Sequence, residues 1–186
     1  MNPTRTQILE TTCELIEHQG CNGTGLNQII HESGAPKGSL YHYFPEGKDA
    51  IVAEAVNYAG QRLAEHIREQ LTQTNDATRA IRAFIESIAD GVEKSKFKEG
   101  GPLTIVAGET ATTNVRINQA CQEAYERVRQ AFAEKLVANG KSKAKAEQLA
   151  LFIVSGIEGG TMLSRTFHTG DPLRLVAKQI AILLQD

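Results

Sequence analysis

The sequence predicts an all-α protein. Residues that favour helices, namely alanine, leucine, glutamate, glutamine and lysine, dominate the 186 residues, whereas aromatic residues make up 5% and tryptophan is absent. Apolar residues recur at spacings of three and four along most of the chain. Glycine and proline separate these periodic stretches, where they end one helix and begin the next. The chain is long enough for one large domain, or for two small ones with a shared core.

The amino-terminal segment predicts one helix followed by a pair of short helices. Asn2 is suited to cap the first helix and Gly20 to end it. The pair spans residues 26–44, with Gly34 closing its first helix and Pro36 opening its second. Two short helices across a turn of this kind form a helix-turn-helix, whose second helix can enter the major groove of DNA. Taken alone, the pattern also fits an ordinary pair of packed helices.

The second helix of this pair carries polar-tipped side chains that favour the DNA-reading interpretation. Lys37, Ser39, Tyr41 and His42 can donate or accept hydrogen bonds at a surface. Gly38 lies among them, and without a side chain its backbone can approach a binding partner closely. The mixture predicts an exposed recognition surface on a short helix.

The same stretch resembles a known family. The run GTGLNQIIHESGAPKGSLYHYFPEGKDAI resembles the amino-terminal signature of the TetR-type transcriptional repressors, and the resemblance continues without a gap from about Ile8 to Ile51. Two departures from the family pattern remove a hydroxyl group that can bond a phosphate or cap a helix. Gly25 stands where the family often has threonine, and Pro36 stands where it often has serine.

This resemblance implies a homodimeric DNA-binding repressor with two domains. Residues 1–47 would form the three-helix DNA-binding domain, and residues 48–186 a helical effector-binding and dimerisation domain. The two-fold symmetry of a dimer implies a palindromic operator in double-stranded DNA, with half-sites about one helical turn or a multiple apart. A small molecule would release the repressor from this operator.

The resemblance also implies which residues lie at the DNA. Thr24, Tyr41 and Lys48 are expected on phosphates, and Gln28 or Lys37 nearest to the base edges. The complete set expected at the DNA is Thr24, Gln28, Pro36, Lys37, Gly38, Ser39, Tyr41, His42 and Lys48.

The charge of the amino-terminal segment is unusual for a DNA-binding domain. Residues 1–48 contain three lysines and arginines against five aspartates and glutamates, so the segment carries a formal charge of −2. DNA-binding domains usually present a basic surface. Affinity is therefore expected to come from a few placed cations, hydroxyl groups, backbone amides and dimerisation, with a shallow dependence on salt.

The remaining sequence predicts six further helices. Each has an apolar stripe at helical spacing or a cap and proline at its start. Their expected ranges are 48–71, 76–97, 102–111, 114–139, 142–167 and 172–184.

The runs GGPLTIVAGETA and EGGTMLSRTFHTGDPLRLVA resemble the subgroup of this family that regulates efflux and detoxification genes. That resemblance implies a small apolar or aromatic effector bound between helices. The candidate pocket residues are Phe84, Ile88, Val106, Tyr125, Phe152 and Met162, each of which, taken singly, fits a plain core better than a ligand contact.

The last two predicted helices carry a surplus of apolar residues. In the family, these helices usually pair with their copies in a four-helix dimer interface. The candidate interface residues are Ile153, Gly156, Gly160, Leu163, Val176 and Ile180. Packing inside one chain is the alternative explanation for this surplus.

The sequence favours no catalytic, metal or cofactor site. The five histidines are scattered without the spacing of metal ligands, and the three cysteines contain no C-x-x-C pair. Reduced thiols are expected, and no nucleophile and base stand together in a known motif. No apolar run of about 18 residues and no export signal is present, so a cytoplasmic protein is expected. The rival functions are a ligand-binding helical dimer without DNA binding and an all-α enzyme.

Overall fold

A computed structural model describes residues 2–98 and 100–185, and these residues form α-helices joined by short turns, with no strand among them. The helices are α1 Pro3–Gly23, α2 Leu26–Ser33, α3 Lys37–Tyr43, α4 Lys48–Leu71, α5 Ala77–Lys94, α6 Pro102–Thr110, α7 Val115–Ala138, α8 Lys143–Phe167 and α9 Asp171–Gln185. The all-α prediction is confirmed.

Local sequence signals set several of these helix ends. The side chains of Asn2, Asp76 and Ser142 cap α1, α5 and α8 by accepting hydrogen bonds from backbone amides two or three residues later. Gly34 ends α2 in the left-handed conformation at φ 63°, which glycine adopts without steric cost. Capping residues that act within one turn are the features that sequence alone reveals best.

The end of α5 differs from the sequence prediction. The helix was expected to reach Phe97, but it ends at Lys94, and Lys96 and Phe97 have positive φ angles of 56° and 63°. The carbonyl oxygen of Phe97 accepts a hydrogen bond from Arg165 Nε at 3.2 Å, and the Phe97 ring stacks on His168. These contacts with residues about 70 positions away hold a backbone conformation that a local helical pattern cannot indicate.

The chain divides into two compact units, Met1–Gln61 with Gly101–Tyr125 and Arg62–Gly100 with Glu126–Asp186. The first unit contains the expected 1–47 domain together with the beginning of α4, all of α6 and the beginning of α7. One apolar cluster of this unit packs α1, α2, α3 and α4 around Ile8, Ile29 and Leu40. A second cluster packs α1 and α4 against α6 and α7.

The second unit is built on α5, α8 and α9, which pack against one another. Small residues on α8 allow α9 to approach closely, because a Cβ atom at Gly156 or Gly160 would lie 3.1 Å or 3.0 Å from side chains of α9. Arg174 of α9 forms two hydrogen bonds with the carboxylate of Glu93 on α5, at 2.7 and 2.8 Å. The same carboxylate accepts a hydrogen bond from the Gly170 amide immediately before α9.

Candidate nucleic-acid interface

Buried apolar side chains hold α2 and α3 against the rest of the first unit. Ile29 of α2 and Leu40 of α3 are fully buried, and Phe44 directly after α3 is 1% exposed. All three belong to the cluster that also contains residues of α1 and α4. The inward face of each short helix is therefore fixed by packing, and its other face is left for solvent or a ligand.

The turn between α2 and α3 is stabilised by its own hydrogen bonds. Ser33 is buried, and its hydroxyl oxygen accepts a hydrogen bond from the Ala35 amide at 3.3 Å. The Gly34 amide donates to the carbonyl oxygen of His31 at 3.3 Å. After the turn, the Ser39 amide donates to the carbonyl oxygen of Pro36 at 2.8 Å and starts α3. The turn thus fixes the direction in which α3 leaves α2.

The outward side of α3 gathers most of the residues expected at the DNA. Tyr41 is 44% exposed, and the other exposed residues lie between the N-cap of α3 and the residue after Tyr41. These residues are Pro36, Lys37, Gly38 and His42. Ser39 is half-buried. A helix with a buried inner face and a polar outer face of this kind has the form of a recognition helix.

Gln28 does not extend freely from α2. Its side-chain amide pairs reciprocally with that of Gln19 on α1, with N···O distances of 2.7 and 3.3 Å. Gln19 also donates to the carbonyl oxygen of Gly23 at 3.0 Å. Gln19 is thus a positioning residue for Gln28, and sequence reasoning missed it because the two amides lie nine residues apart on different helices.

Thr24 lies in a different place from the one expected. It was expected on a DNA phosphate, but it is fully buried, and its hydroxyl donates to the carbonyl oxygen of Gly20 at 2.8 Å. A buried hydroxyl engaged in this way is not presented to a phosphate. We therefore remove Thr24 from the candidate interface and assign it to the turn between α1 and α2.

Lys48 begins α4 and is half-buried. Burial raises the pKa of the nearby Cys21 thiol, and the positive charge of Lys48 opposes this rise. Burial likewise raises the pKa of the Cys121 thiol to about 11. Both thiols are therefore protonated at neutral pH, which leaves them poor nucleophiles.

The acidic groups around the candidate interface are partly paired. The Glu46 carboxylate, between α3 and α4, forms an ion pair with Arg116 of α7. The Asp49 carboxylate in the first turn of α4 accepts a hydrogen bond from the Asn114 side chain at 2.7 Å. The first unit nevertheless has four lysines and arginines against nine aspartates and glutamates, a formal charge of −5 with histidine neutral. Its candidate interface thus depends on a few cations rather than on a basic field.

The expected effector residues occupy several different environments. Val106 and Tyr125 pack in the second apolar cluster of the first unit. In the second unit, the buried ring of Phe84 on α5 packs edge-on against the ring of Phe132, with the ring centres 5.8 Å apart. Ile88, also on α5, is half-buried. Phe152 and Met162 are exposed on α8.

A groove of about 580 Å³ lies along the end of α7 and the beginning of α8. Its walls combine aliphatic atoms of Ala133, Val137 and Ala138 with charged groups that include Arg129, Glu134 and Lys143. None of the expected effector residues lines this groove.

The expected dimer residues fall mostly inside the second unit. Ile153 and Ile180 are each 1% exposed, and Gly160 is buried against α9. Gly156 faces Val176 in the same packing. These positions join α8 to α9 within one chain, which is the alternative that the sequence left open.

The exposed apolar side chains of α8 and α9 are mostly at other positions. They are large, and Leu163 and Phe167, four residues apart, share a face of α8. They are Leu151, Phe152, Met162, Leu163 and Phe167 on α8, and Leu175, Ile182 and Leu183 on α9. Leu163 is thus an expected interface residue that is exposed. In the described part of the chain, no helix is long and apolar enough to cross a lipid bilayer.

Comparison with known proteins identifies the family. Residues 8–55 match the sequence model of the bacterial regulatory proteins of the tetR family, and residues 77–179 match the carboxy-terminal domain of LmrA/YxaF-like transcriptional regulators. The chain is 40% identical over 181 residues to the uncharacterised HTH-type transcriptional regulator YxaF of Bacillus subtilis, covering 97% of this chain and 95% of the relative. It is 36% identical to the HTH-type transcriptional regulator LmrA of the same organism, covering 97% and 96%.

Solved structures share the fold. The reduced form of Escherichia coli NemR superposes with a TM-score of 0.82 at 18% identity, covering 95% of this chain and 94% of that one. A TetR regulatory protein from Rhodobacter sphaeroides superposes with a TM-score of 0.80 at 17% identity, covering 95% and 96%. Regulators of this family bind DNA and form dimers. The chain belongs to the TetR family of helix-turn-helix transcriptional regulators, with a carboxy-terminal domain of the LmrA/YxaF type.

Proposed function

We propose that this regulator is a cytoplasmic homodimeric repressor that binds a palindromic operator and leaves it when a small apolar or aromatic effector binds its carboxy-terminal helices. The observation that carries the DNA part is the exposed polar side of α3, where Lys37, Tyr41 and His42 lie on a helix fixed by Leu40 and Phe44. Such a helix can enter the major groove without rearranging its own core.

The cation of Lys37 is the side chain on α3 best suited to read a base edge. It is exposed and lies in the first turn of the helix, the end of a recognition helix that contacts bases. The Tyr41 hydroxyl one turn later and the Lys48 ammonium at the start of α4 are suited to phosphates. We keep Gln28 as a second candidate for base contact, in the orientation that Gln19 gives it.

Dimerisation is proposed through the exposed apolar side chains of α8 and α9. Isolated exposed apolar residues are common on protein surfaces, but eight of these lie on two helices that pack against each other. A two-fold copy of the same surface would cover them, as in other isologous interfaces. We therefore propose Phe152, Met162, Leu163 and Phe167 as interface residues in place of the buried Ile153, Gly160 and Ile180.

The effector part of the proposal rests on family membership and on the apolar character of the carboxy-terminal helices. An effector acts by binding better to a dimer whose two reading helices are wrongly spaced for the operator, which shifts the population away from the DNA-binding form. The continuous helix α4, residues 48–71, links the reading helices covalently to the rest of the chain. A compound that binds but leaves operator affinity unchanged contradicts this coupling.

The experiment that tests this function is fluorescence anisotropy of the purified protein with a duplex from its own upstream intergenic region, beside a scrambled duplex. We expect selective binding with two subunits or a multiple of two per site, and release of the duplex by some members of a panel of small aromatic compounds. A salt titration is expected to give a slope of log K against log salt shallower than about −8, because few cations neutralise phosphates at roughly −0.9 each. Equal weak binding to both duplexes and to a genome-wide library contradicts DNA reading and favours a ligand-binding dimer.

A further inference from the structure

The α1 helix is broken shortly before the helix-turn-helix. Gly20 has φ 78° and ψ 168°, so the helical hydrogen-bond ladder is interrupted before Cys21. Amides that follow such a break have lost their partners in the preceding turn and need other acceptors. The amides of Cys21 and Asn22 are in this position.

A carboxylate from a distant helix supplies these acceptors. Oε2 of Glu109, on α6, accepts hydrogen bonds from the Cys21 amide at 2.7 Å and from the Asn22 amide at 3.1 Å. Negative charge at the start of a helical turn is electrostatically favourable, and hydrogen bonds to a charged acceptor are stronger than neutral ones. Glu109 therefore caps the turn that leads into α2.

Glycine suits this break because of its backbone conformation, and its missing side chain leaves room for the Glu109 carboxylate. The positive φ of Gly20 is unfavourable for residues with a side chain. A Cβ atom at this position would also overlap the Glu109 carboxylate, with the carboxyl carbon only 3.1 Å away. The Glu109 carboxylate thus occupies the space that a side chain at position 20 would need.

The capped turn determines where α2 begins. Gly20 accepts the hydrogen bond of the Thr24 hydroxyl through its carbonyl oxygen, and the Thr24 amide donates to the carbonyl oxygen of Cys21 at 3.3 Å. Gly25, the N-cap of α2, offers no side-chain cap of its own. The position of α2 relative to α1 therefore depends on this turn.

The α6 helix is fastened to α1 at its other end as well. The Glu17 carboxylate of α1 accepts a hydrogen bond from the Gly101 amide at 2.8 Å, immediately before α6. Each helix thus supplies one carboxylate to the other: Glu17 of α1 binds the start of α6, and Glu109 near the end of α6 binds α1. Between them, Val106 and Leu103 of α6 pack with Ile16 and Cys21 of α1. This arrangement holds the Glu109 carboxylate in place.

We propose that Glu109 is a positioning residue for operator reading: by capping the amides of Cys21 and Asn22, it fixes the turn between α1 and α2 and so the position of the reading helices. This proposal rests on the proposed function, because it concerns how the DNA-binding surface is held. It assigns to a residue outside the amino-terminal helix-turn-helix segment a direct role in its geometry.

The test compares the operator affinity of Glu109→Ala, Glu109→Gln and the wild type at a temperature where circular dichroism shows all three to be folded. If only one protein in ten keeps the competent turn after the cap is lost, apparent affinity falls about tenfold. We expect a loss of about this size for Glu109→Ala and a smaller loss for Glu109→Gln, whose amide oxygen can still accept a hydrogen bond. Glu14→Ala is the matched control, because it removes the same charge from an exposed site on α1.

Amide hydrogen exchange provides a readout that a general loss of stability would not reproduce. Exchange at Cys21 and Asn22 should accelerate in Glu109→Ala, less in Glu109→Gln and not in Glu14→Ala, while slowly exchanging core amides keep their wild-type rates. Gly20→Ala should also accelerate exchange at these two amides, because its Cβ displaces the carboxylate and its side chain disfavours the positive φ. If Glu109→Ala and Glu14→Ala bind the operator with the same affinity, the proposal is overturned.

The amide measurement also separates this proposal from the proposed function. If the wild type binds no duplex, DNA reading itself fails, and the exchange rates at Cys21 and Asn22 still report whether Glu109 caps the turn. Unchanged exchange at these two amides in Glu109→Ala overturns the assignment whatever the DNA result.

Discussion

Gly60 on α4 and Ala124 on α7 approach so closely that a Cβ atom at Gly60 would lie 2.8 Å from the Ala124 Cα atom. Backbone cannot yield in the way that the end of a flexible side chain can. Gly60→Ala is therefore expected to lower the free energy of unfolding by about 1–3 kcal/mol, the usual cost of inserting a group into a packed interior. Urea unfolding followed by circular dichroism measures this change.

Gly91 on α5 is the matched control for Gly60, because it lies inside a helix and a Cβ atom at this position would meet no atom of another described element within 4 Å. Alanine favours helix over glycine by about 1 kcal/mol, so Gly91→Ala should raise the free energy of unfolding by up to that amount. Equal effects of the two substitutions would contradict the close approach of α4 and α7.

The buried Thr24 hydroxyl gives a prediction that separates a structural role from DNA contact. Thr24→Val keeps the shape and removes the hydrogen bond to Gly20, so the free energy of unfolding should fall by about 1–3 kcal/mol. Thr24→Ser keeps the hydroxyl, so its free energy of unfolding should fall by less. A phosphate contact would instead appear as a reduced salt slope of operator binding in Thr24→Val, and that result would restore Thr24 to the interface.

Much of the fold was predictable because its signals are local. Asn2, Gly34, Asp76 and Ser142 mark helix ends through contacts within a few residues, so these ends could be placed from the sequence correctly or nearly so. The apolar stripe of α3 likewise indicates an inward side containing Leu40. The all-α class follows from such signals, whereas the family was indicated by the resemblance of residues 23–51 to its amino-terminal signature.

Contacts between distant residues account for what could not be predicted from the sequence. Nothing near Phe97 indicates that Arg165 will hold its carbonyl oxygen outside a helix. Similarly, Glu109 lies 88 residues from the Cys21 amide that it caps. An apolar stripe on α8 also cannot say which residues face α9 and which face solvent, which is why Ile153 was expected at an interface and is buried in the chain.

Lys37 and Tyr41 are expected to contribute to DNA binding in different ways. Lys37→Ala should relax sequence preference, because a base contact contributes about 1–3 kcal/mol of discrimination against the wrong base. Tyr41→Phe should weaken binding to operator and scrambled duplexes alike, because a phosphate contact carries no sequence information. Anisotropy titrations with both duplexes distinguish these results, and the opposite pattern would contradict both assignments.

Met162 tests the proposed dimer surface. It is 59% exposed on α8, and a glutamate there would bury a charge against the partner's copy of the surface. Met162→Glu should therefore shift the protein from dimer to monomer in light scattering after size exclusion. Val137→Glu is the control, since Val137 is also an exposed aliphatic residue but lies on α7. A dimer that survives Met162→Glu and dissociates with Val137→Glu would place the interface along the α7 groove.

The Glu93 carboxylate predicts a loss of stability in acid. Hydrogen bonds from Arg174 and from the Gly170 amide lower its pKa from 4.5 to about 2. A carboxylate whose pKa is lower in the folded state stabilises the fold above its unfolded pKa, and this contribution disappears as the pH falls through the folded value. The contribution of Glu93 to the free energy of unfolding is thus complete above about pH 4.5, and it is lost progressively as the pH falls toward 2.

Glu93→Gln should remove this part of the pH dependence, because the amide keeps the shape of the carboxylate and does not titrate. The urea midpoint of the wild type should fall between pH 6 and pH 3 by more than that of Glu93→Gln. Glu86→Gln on the same helix is the control, because the Glu86 carboxylate pairs with Arg82 one turn away on an exposed surface, where ion pairs contribute little. Glu86→Gln should show the same fall in urea midpoint as the wild type. If Glu93→Gln also shows that fall, the Arg174 contact does not stabilise the packing of α9 on α5.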